Sequence, residues 1–284
     1  MGQTLFRLIQ ISDTHLSPHK SHFTVNWAPL AAWISAERPQ LVIHTGDVTI
    51  DGADSEADLQ HCAGLLNQLG VPFRAVPGNH DVGDANHRHQ PVNAERVARW
   101  IRHFGRDRWF EDIEGWRLIG LDAMLMGSGE PDEDVQLAWL QSVMDAAKGR
   151  RFAWFLHRPL FIENPDEGDT GYWSVRPGAR RELLALGRRH RVALIASGHL
   201  HQARDFTHRG TRYIWGPSAA FLGGPGILPP MPGDKRLGAV RYEFLGRQCR
   251  AAIVEVPGLT EHWIDDVIEE VYPAHRDTRP QAPT

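Results

Sequence analysis

Short apolar runs alternate along the chain with stretches in which apolar residues recur every three or four positions. Such runs are typical of buried strands, and the periodic stretches between them are typical of amphipathic helices. The runs predict strands at residues 5–11, 41–44, 73–76, 116–122, 151–157 and 192–197. The periodic stretches predict helices at residues 27–37, 54–69, 92–104, 134–148 and 177–190. This alternation predicts a layered α/β domain.

The pattern changes after residue 200, where strands follow one another with short connections. Strands are predicted at residues 203–208, 211–215, 239–245 and 250–256. We expect these late strands to form a second sheet that packs on the first. The segment 216–234 is rich in Gly and Pro and is predicted to be a loop over the surface.

The C-terminal region predicts one more helix at residues 260–270, followed by a polar, Pro-containing tail that we expect to be mobile. We therefore divide the chain into one domain at residues 1–257 and a C-terminal helix with a mobile tail at residues 258–284. The helix carries an apolar stripe formed by Trp263, Ile264, Val267, Ile268 and Val271. This stripe packs either on its own domain or on a second copy of the chain, which leaves a homo-oligomer open.

The composition is that of an ordinary globular protein: 284 residues, of which 42% are hydrophobic and 23% charged, are enough to bury a substantial core. The net charge of −4 gives no sign of nucleic-acid binding, since proteins that contact phosphates are more often basic. No stretch approaches the roughly 18 apolar residues of a membrane span, and the N-terminus has no signal-peptide pattern. With two cysteines and no disulfide framework, we expect a cytoplasmic protein without nucleic-acid or membrane partners.

Candidate chemistry lies at the ends of the predicted strands. Five strands are directly followed by side chains of metal-ligating types: Asp13 and His15, Asp47, Asn79 with His80 and Asp81, His157, and His199 with His201. Each group alone has an ordinary explanation as a turn residue or a buried polar residue at a strand end. All five together indicate one site, because open α/β sheets bind ligands at the carboxyl ends of their strands.

The residue types indicate which cofactor this site would take. Imidazole, carboxylate and amide oxygen suit Mn, Fe, Zn or Co, and no cysteine is offered to a softer metal. Seven candidate ligands are too many for one ion and fit two, since a carboxylate can bridge ions about 3.5–4 Å apart. We therefore expect two divalent or trivalent transition-metal ions.

The order of these motifs resembles that of the calcineurin-like metallophosphoesterase family, whose pattern is DxH, GD, GNHD or GNHE, His and GHxH. The motifs here are Asp13-Thr14-His15, Gly46-Asp47, Gly78-Asn79-His80-Asp81, His157 and Gly198-His199-Leu200-His201. Within the family, the chain is most similar to bacterial class III cyclic-nucleotide phosphodiesterases and related glycerophosphodiesterases. The resemblance implies a four-layer αββα sandwich of two mixed β-sheets flanked by helices.

The resemblance also implies a role for each residue. The implied ligands are Asp13, His15 and His201 for the first metal, and Asn79, His157 and His199 for the second, with Asp47 bridging the two. His80 would act beside the phosphate as a charge stabiliser or as a general acid. Asp81 would orient the His80 imidazole through a hydrogen bond.

The candidate substrate contacts are Asn79, His80, Arg158, Tyr172, Trp173 and Arg176. Arg158 is a departure from the family, which often carries a second histidine at this position. It either faces the cleft and contacts phosphate or has a structural role. The last three residues belong to loop 161–178, which either shapes the substrate pocket or caps the core at the surface.

The resemblance implies an enzyme that hydrolyses small phosphodiesters, such as cyclic nucleotides or glycerophosphodiester-like molecules. Its mechanism would be in-line attack by a hydroxide that bridges the two metals. A phosphomonoesterase acting on a sugar phosphate, nucleotide or phosphoprotein is the alternative. A non-catalytic, metal-binding interaction scaffold is a third interpretation, which the full set of ligand positions disfavours.

Overall fold

The computed structural model describes residues 4–147 and 149–272 of the protein. Its strands are β1 (Phe6–Ile11), β2 (Leu41–His44), β3 (Phe73–Ala75), β4 (Trp109–Ile113), β5 (Trp116–Leu121), β6 (Arg151–Leu156), β7 (Leu194–Ser197), β8 (Arg204–His208), β9 (Thr211–Trp215), β10 (Ala239–Leu245) and β11 (Gln248–Val254). Its helices are α1 (Trp27–Glu37), α2 (Glu56–Asn67), α3 (Asn79–Val82), α4 (Ala94–Phe104), α5 (Pro131–Ala146), α6 (Pro177–Arg189) and α7 (Ile264–Val271), with a 3-10 helix at Ser21–Asn26.

The strands form two mixed sheets that face each other. The first sheet has the order β11-β10-β1-β2-β3, in which β1, β2 and β3 are parallel and β10 runs antiparallel to both β1 and β11. The second has the order β4-β5-β6-β7-β9-β8, in which β5, β6, β7 and β9 are parallel. Helices pack on the outer faces, so the expected four-layer αββα sandwich is confirmed.

The central strands are buried on both faces. In β2, Leu41 and Ile43 belong to an apolar cluster with members from both sheets, whereas Val42 packs in the cluster that contains the helices. In β6, Phe155 lies between the sheets and Trp154 lies on the helical side. Because successive side chains of a strand point to opposite faces, burial of both faces requires a continuous apolar run rather than an alternating one.

A buried glutamine links the two sheets. Gln10 on β1 donates its side-chain amide to Thr45 Oγ1 at 3.0 Å and to the carbonyl oxygen of Ser197, at the end of β7, at 3.1 Å. Its amide oxygen accepts a hydrogen bond from the Tyr242 hydroxyl at 2.7 Å. Since its polar atoms have partners, Gln10 is tolerated in the core, and it fixes the spacing between strand ends of opposite sheets.

The helices begin at local sequence signals. Ser55 caps α2 by accepting a hydrogen bond from the N–H of Asp58 at 3.2 Å, and Asn93 caps α4 by accepting from the N–H of Arg96 at 2.9 Å. Proline stands in the first turn of α5 and of α6, where its missing N–H costs no helical hydrogen bond. These signals explain why the helix boundaries lie within a few residues of the predicted ones.

The expectation that the late strands form a sheet of their own is wrong. β8 and β9 extend the second sheet beside β7, whereas β10 and β11 extend the first sheet beside β1. Strand β4 lies where no element was predicted, because it is an edge strand with mostly exposed or half-buried residues. The distribution of strands between the sheets is set by long-range pairing, which local pattern does not reveal.

The segment 216–234 is not a surface loop throughout, because residues 216–224 are buried. The Ser218 hydroxyl accepts hydrogen bonds from the N–H groups of Ala220 and Phe221 at 3.0 and 3.2 Å, and donates to the Asp13 carbonyl at 3.1 Å. Burial of this half of the segment is possible because its backbone polar groups find partners inside the protein.

Helix α7 packs on its own domain. Ile264, Val271 and Tyr272 are buried in a cluster with Phe23 and Phe221. The predicted mobile tail, residues 275–284, lies outside the described residues. The domain boundary at residue 257 and the homo-oligomer stay predictions. No helix in the described part of the chain combines the length and the apolarity that crossing a membrane requires.

A buried carboxyl group after β5 makes stability depend on pH. Asp122 is fully buried; its Oδ1 accepts from the N–H of Met124 at 2.8 Å, and its Oδ2 has no hydrogen-bond partner among the described residues. Burial, with the negative charge of Asp107, raises the pKa of Asp122 well above its usual value. A carboxyl whose pKa is higher in the folded state supports folding at low pH and opposes it as the pH rises through that value.

We therefore expect Asp122→Asn to flatten the dependence of stability on pH. Relative to the wild type, the variant should gain free energy of unfolding between about pH 5 and pH 9, because the amide has no charge to bury. Urea unfolding at both pH values measures this gain. Asp145→Asn, at an exposed position of α5, is the matched control. Equal slopes for Asp122→Asn and the wild type would contradict the expectation.

Candidate functional site

The carboxyl ends of β1, β2 and β3 in the first sheet and of β6 and β7 in the second meet at one edge of the sandwich. The turns after these strands carry every residue predicted as a ligand or catalytic group. All of them are buried: Asp13, His15, Asp47, Asn79, His80, Asp81, His157, His199 and His201. The structure thus brings together side chains from distant parts of the chain.

A first cluster contains Asp13, His15 and His201, whose ligating atoms lie within 4.8 Å of one another. The Nε2 atom of His201 lies 3.4 Å from Asp13 Oδ1 and 3.3 Å from His15 Nε2. These are the three residues that the resemblance assigns to one metal.

A second cluster contains Asp47, His157 and His199, again with ligating atoms within 4.8 Å of one another. His157 Nε2 lies 3.2 Å from Asp47 Oδ2, 3.1 Å from His199 Nδ1 and 3.2 Å from Asn79 Oδ1. Asp47 Oδ2 also lies 3.7 Å from His15 Nε2. Asp47 therefore stands between the two clusters.

The four imidazoles of these clusters are each held through the outer ring nitrogen. The contacts are His157 Nδ1 to the Thr45 carbonyl at 2.8 Å, His201 Nδ1 to the Phe221 carbonyl at 2.7 Å, His199 Nε2 to the Tyr172 carbonyl at 2.8 Å, and His15 Nδ1 to the Tyr272 hydroxyl at 2.7 Å. A carbonyl oxygen only accepts hydrogen bonds, so each ring nitrogen that contacts one carries a proton. In a neutral ring the other nitrogen, which points into the cluster, then keeps its lone pair. Proteins orient histidines towards metals in this way.

The protonation states of the site suit a cation. Burial opposes ionisation of Asp47, yet His157 and His80 hold the pKa of this carboxyl well below its usual value. Burial lowers the pKa of His15 and of His199 well below the usual value, so both rings are neutral. Burial lowers the pKa of His157, but Asp47 outweighs it and raises that pKa to about 9. Ring nitrogens of neighbouring histidines face each other at 3.1 and 3.3 Å, so each pair needs a proton or a metal ion between its two nitrogens. This donor set fits transition-metal ions.

The backbone of the site is strained at five positions. Asp13, His15, Asp47, His199 and His201 have φ values of 53, 42, 53, 73 and 51°. Residues with a Cβ rarely adopt this left-handed conformation, which costs roughly 1–3 kcal/mol at each position. Such strain persists only where the surrounding structure holds it. Here it occurs at five of the seven candidate ligands.

Two motif glycines allow the turns to approach one another. A Cβ on Gly78 would lie 2.2 Å from Asp47 Oδ1, and a Cβ on Gly198 would lie 1.8 Å from Ser12 Oγ and 2.5 Å from Asp13 Oδ2. No larger residue fits at either position without displacing a carboxylate of the site.

Asp81 joins the turn after β2 to the turn after β3. Its Oδ1 accepts hydrogen bonds from the N–H and the hydroxyl of Thr49 at 3.0 and 2.8 Å. Its Oδ2 accepts from the N–H groups of Val48 and Gly78 at 3.2 and 2.9 Å. Asp81 thereby supports the turn that carries Asp47, and its orientation of His80 stays a prediction.

His80 lies beside both clusters. Its backbone N–H donates to Asp47 Oδ1 at 2.9 Å, and its ring stacks on Tyr272 with 4.4 Å between the ring centroids. The ligating atoms of His15, Asp47 and His80 also lie within 4.8 Å of one another. The position of His80 therefore suits a group that acts on a molecule bound at the clusters, and it is also close enough to ligate.

The clusters form the floor of a cavity of about 780 Å³. Of the predicted substrate contacts, His80, Tyr172 and Trp173 line this cavity. The Asn79 side-chain amide donates to the Tyr172 hydroxyl at 3.0 Å, which places the amide oxygen towards the second cluster.

The two predicted arginine contacts lie outside the cavity lining. Arg158 is buried in an ion pair with Asp84. Arg176 donates to the Gly127 carbonyl at 2.8 Å and to the Asn86 side chain at 2.6 Å. Both guanidinium groups are thus engaged with the protein.

Two residues that complete the site carry no motif signal. Tyr272, at the end of α7, contacts His15 from 257 positions along the chain. Phe221 packs on the rings of His15 and His201, with centroid distances of 4.6 and 4.2 Å. One sequence signal could have indicated Tyr272: it follows the apolar stripe of the last helix, so it is expected to be buried with that stripe. A buried phenol hydroxyl needs a hydrogen-bonding partner.

Comparison with known proteins identifies a family that matches most of the chain. Residues 6–203 match the family model described as calcineurin-like phosphoesterase. A probable glycerophosphodiester phosphodiesterase from Arcobacter nitrofigilis is 28% identical over 218 residues, which cover 69% of this chain and 71% of that protein. The 3′,5′-cyclic adenosine monophosphate phosphodiesterase of Escherichia coli (strain K12) is 28% identical over 227 residues, which cover 76% of this chain and 77% of that protein.

A solved structure supports the fold. A purple acid phosphatase from yellow lupin (Lupinus luteus) seeds has a TM-score of 0.65 and 12% identity, over 93% of this chain and 55% of the lupin chain. At this identity the likeness concerns the fold alone, and it agrees with the two facing sheets.

The support that Asp81 gives to the site can be measured as stability. Asp81→Asn should lower the free energy of unfolding by about 2–3 kcal/mol, because an NH₂ group would then face two of the four donors. Urea unfolding, with chelator in all samples, measures the loss independently of metal. Asp145→Asn should change stability by less than about 0.5 kcal/mol. An Asp81→Asn variant as stable as the wild type would show that the carboxylate does not hold the two turns together.

Proposed function

The chain belongs to the calcineurin-like phosphoesterase family, and we propose that it hydrolyses small phosphodiesters at a two-metal site. Membership in the family makes it a metal-dependent phosphoric ester hydrolase. The observation that carries the proposal is the pair of neighbouring ligand clusters on the floor of one cavity, with Asp47 of the second cluster 3.7 Å from His15 of the first.

The proposed ligands divide between the two ions. One ion would be held by Asp13, His15 and His201, the other by Asn79, His157 and His199, with Asp47 shared. Mn, Fe, Zn and Co all suit this donor set. When bound, such ions supply positive charge that polarises the phosphoester and lowers the pKa of water.

The charges around the cavity favour a diester over a monoester. Among the described residues that line it there is no lysine or arginine, and the carboxylate of Asp84 is already paired with Arg158. A phosphomonoester carries nearly two negative charges near neutral pH, and a diester carries one. The diester therefore needs less positive charge from the protein. The relatives named as glycerophosphodiester and cyclic-nucleotide phosphodiesterases support the same choice.

His80 is the proposed catalytic side chain. It lies in the cavity beside Asp47, where its imidazole can stabilise charge on the phosphate or give a proton to the leaving oxygen. The N–H of His80 holds one oxygen of Asp47, and Asp81 holds the turn behind it. These hydrogen bonds fix the backbone that carries the imidazole.

Replacement of His80 separates catalysis from metal binding. His80→Ala should lower kcat about 100-fold or more and leave the bound metal unchanged, because the proposed ligands remain. Asp47→Ala should lose both metal and activity. Elemental analysis of the purified variants and kcat for bis(p-nitrophenyl) phosphate are the measurements.

His87→Ala is the matched control, since His87 lines the same cavity but belongs to neither cluster. It should keep kcat within a few fold of the wild type. Loss of metal from His80→Ala would make His80 a ligand, and wild-type turnover would remove it from catalysis.

The choice between diester and monoester is tested with two chromogenic esters. Mn-loaded protein should hydrolyse bis(p-nitrophenyl) phosphate with a higher kcat/KM than p-nitrophenyl phosphate, and chelator-treated protein should hydrolyse neither. A metal-dependent preference for the monoester would instead support a phosphatase acting on a sugar phosphate, nucleotide or phosphoprotein.

A further inference from the structure

Part of the cavity lining is apolar. Phe221, Ile227, Leu228 and Pro229 from segment 216–234 and Ile264 and Ile268 from α7 form this surface, which we call the apolar wall. None of these six side chains has a hydrogen-bonding group or a charge. A wall of this kind adjoining a polar floor is the usual composition of a pocket for an amphipathic small molecule.

The apolar wall is fixed in place by hydrogen bonds to the start of α7. The N–H of Leu222 donates to the His262 carbonyl at 2.8 Å, and the N–H of Ile264 donates to the Leu222 carbonyl at 3.0 Å. The N–H of Gly224 donates to Asp265 Oδ2 at 2.6 Å. The two segments thus form one surface that is present before any ligand arrives, which lowers the entropic cost of binding.

No lysine or arginine of the described residues lines the cavity. The nearby basic side chains are engaged elsewhere: Lys20 with Asp51 and the Val271 carbonyl, Arg158 with Asp84, and Arg176 with Gly127 and Asn86. Glu269 also lines the cavity, next in the chain to Ile268. A second anionic group on a ligand would therefore lose its hydration without gaining a partner.

We propose that the apolar wall binds an uncharged aliphatic group esterified to the phosphate of the substrate. The inference rests on the proposed phosphodiesterase function and specifies the organic part of its substrate. Phosphate on the cluster floor leaves one ester group of a diester to extend into the rest of the cavity. The wall offers hydrocarbon contact there, and none of its side chains can read the edge of a base or the hydroxyls of a sugar.

Chain length is the variable that tests this proposal. Mn-loaded full-length protein is assayed with p-nitrophenyl diesters of methyl, butyl and hexyl phosphate below their aggregation concentrations. The value of kcat/KM should rise roughly two- to fourfold for each added methylene until the wall is covered. A hexyl chain ending in a carboxylate should be hydrolysed less efficiently than the plain hexyl ester.

Variants locate the effect on the wall. Ile227→Ala and Ile268→Ala should flatten the rise with chain length, lowering kcat/KM for the hexyl ester by more than for the methyl ester, because both side chains are half-buried wall residues outside the clusters. Val135→Ala, at an exposed aliphatic position of α5, is the matched control and should keep the full rise.

Two results would overturn the proposal. One is a flat series in the wild type; the other is a p-nitrophenyl ester of thymidine 5′-phosphate that is hydrolysed more efficiently than the hexyl ester, which would assign the wall to a nucleoside. Failure to hydrolyse any diester, bis(p-nitrophenyl) phosphate included, would count against the proposed function instead.

Calorimetric binding of butyl- and hexylphosphonate then tests the wall alone. Tighter binding of the hexyl compound that Ile268→Ala abolishes would support the wall, and equal affinities would reject it.

Discussion

The hydrogen bonds from the backbone N–H of His199 to the two oxygens of Asp13, at 3.2 and 3.1 Å, join the second sheet to the first at the site. The contact requires Gly198, since a Cβ there would meet both Ser12 and Asp13. Each ligand cluster takes residues from both sheets, so neither cluster exists unless the sheets are held at this spacing. The hydrogen bond from Gln10 to the Ser197 carbonyl and the contact between His157 and the Thr45 carbonyl also hold the two sheets together. The site and the sandwich therefore depend on each other, because the side chains proposed to bind metal also connect the two sheets.

This arrangement has a cost in stability. Two ionised carboxylates, those of Asp13 and Asp47, are buried close enough to repel each other, and five non-glycine residues of the site have left-handed backbone conformations. A cation between the clusters would offset the repulsion, and its binding to the folded state alone would shift the folding equilibrium. The apolar cores on either side of each sheet supply the stability that holds the strained turns in place. The site therefore depends on a well-packed sandwich. Only such packing can keep the turns at the strand ends buried and in left-handed backbone conformations.

Much of this could be predicted from the sequence, and what could not has a common physical cause. The strands that lead to Asp13, Asp47 and His157 are visible in the sequence as apolar runs. The polar residues directly after them lie at one edge of the sheets, because parallel strands point in the same direction. The burial of residues 216–224 and the arrival of Tyr272 at His15 depend on contacts between segments far apart in the chain. Local pattern shows that such residues are apolar or aromatic. It does not show which distant surface will cover them, so the pattern predicts a separate sheet for the late strands and a surface position for Phe221, and both predictions are wrong.

Chemistry and selectivity come from different parts of the chain. The family match ends at residue 203, and all the proposed metal ligands lie within it. The apolar wall comes from segment 216–234 and α7, beyond that match.

The two parts meet at the Phe221 carbonyl, which holds His201, and at the Tyr272 hydroxyl, which contacts His15. Because these contacts orient ligands of the first cluster, the segment that shapes the organic side of the cavity also positions part of its floor. A change in the wall that moves these two residues would therefore alter both the fit of the organic group and the ligand geometry. A change confined to the half-buried aliphatic positions would alter the fit alone.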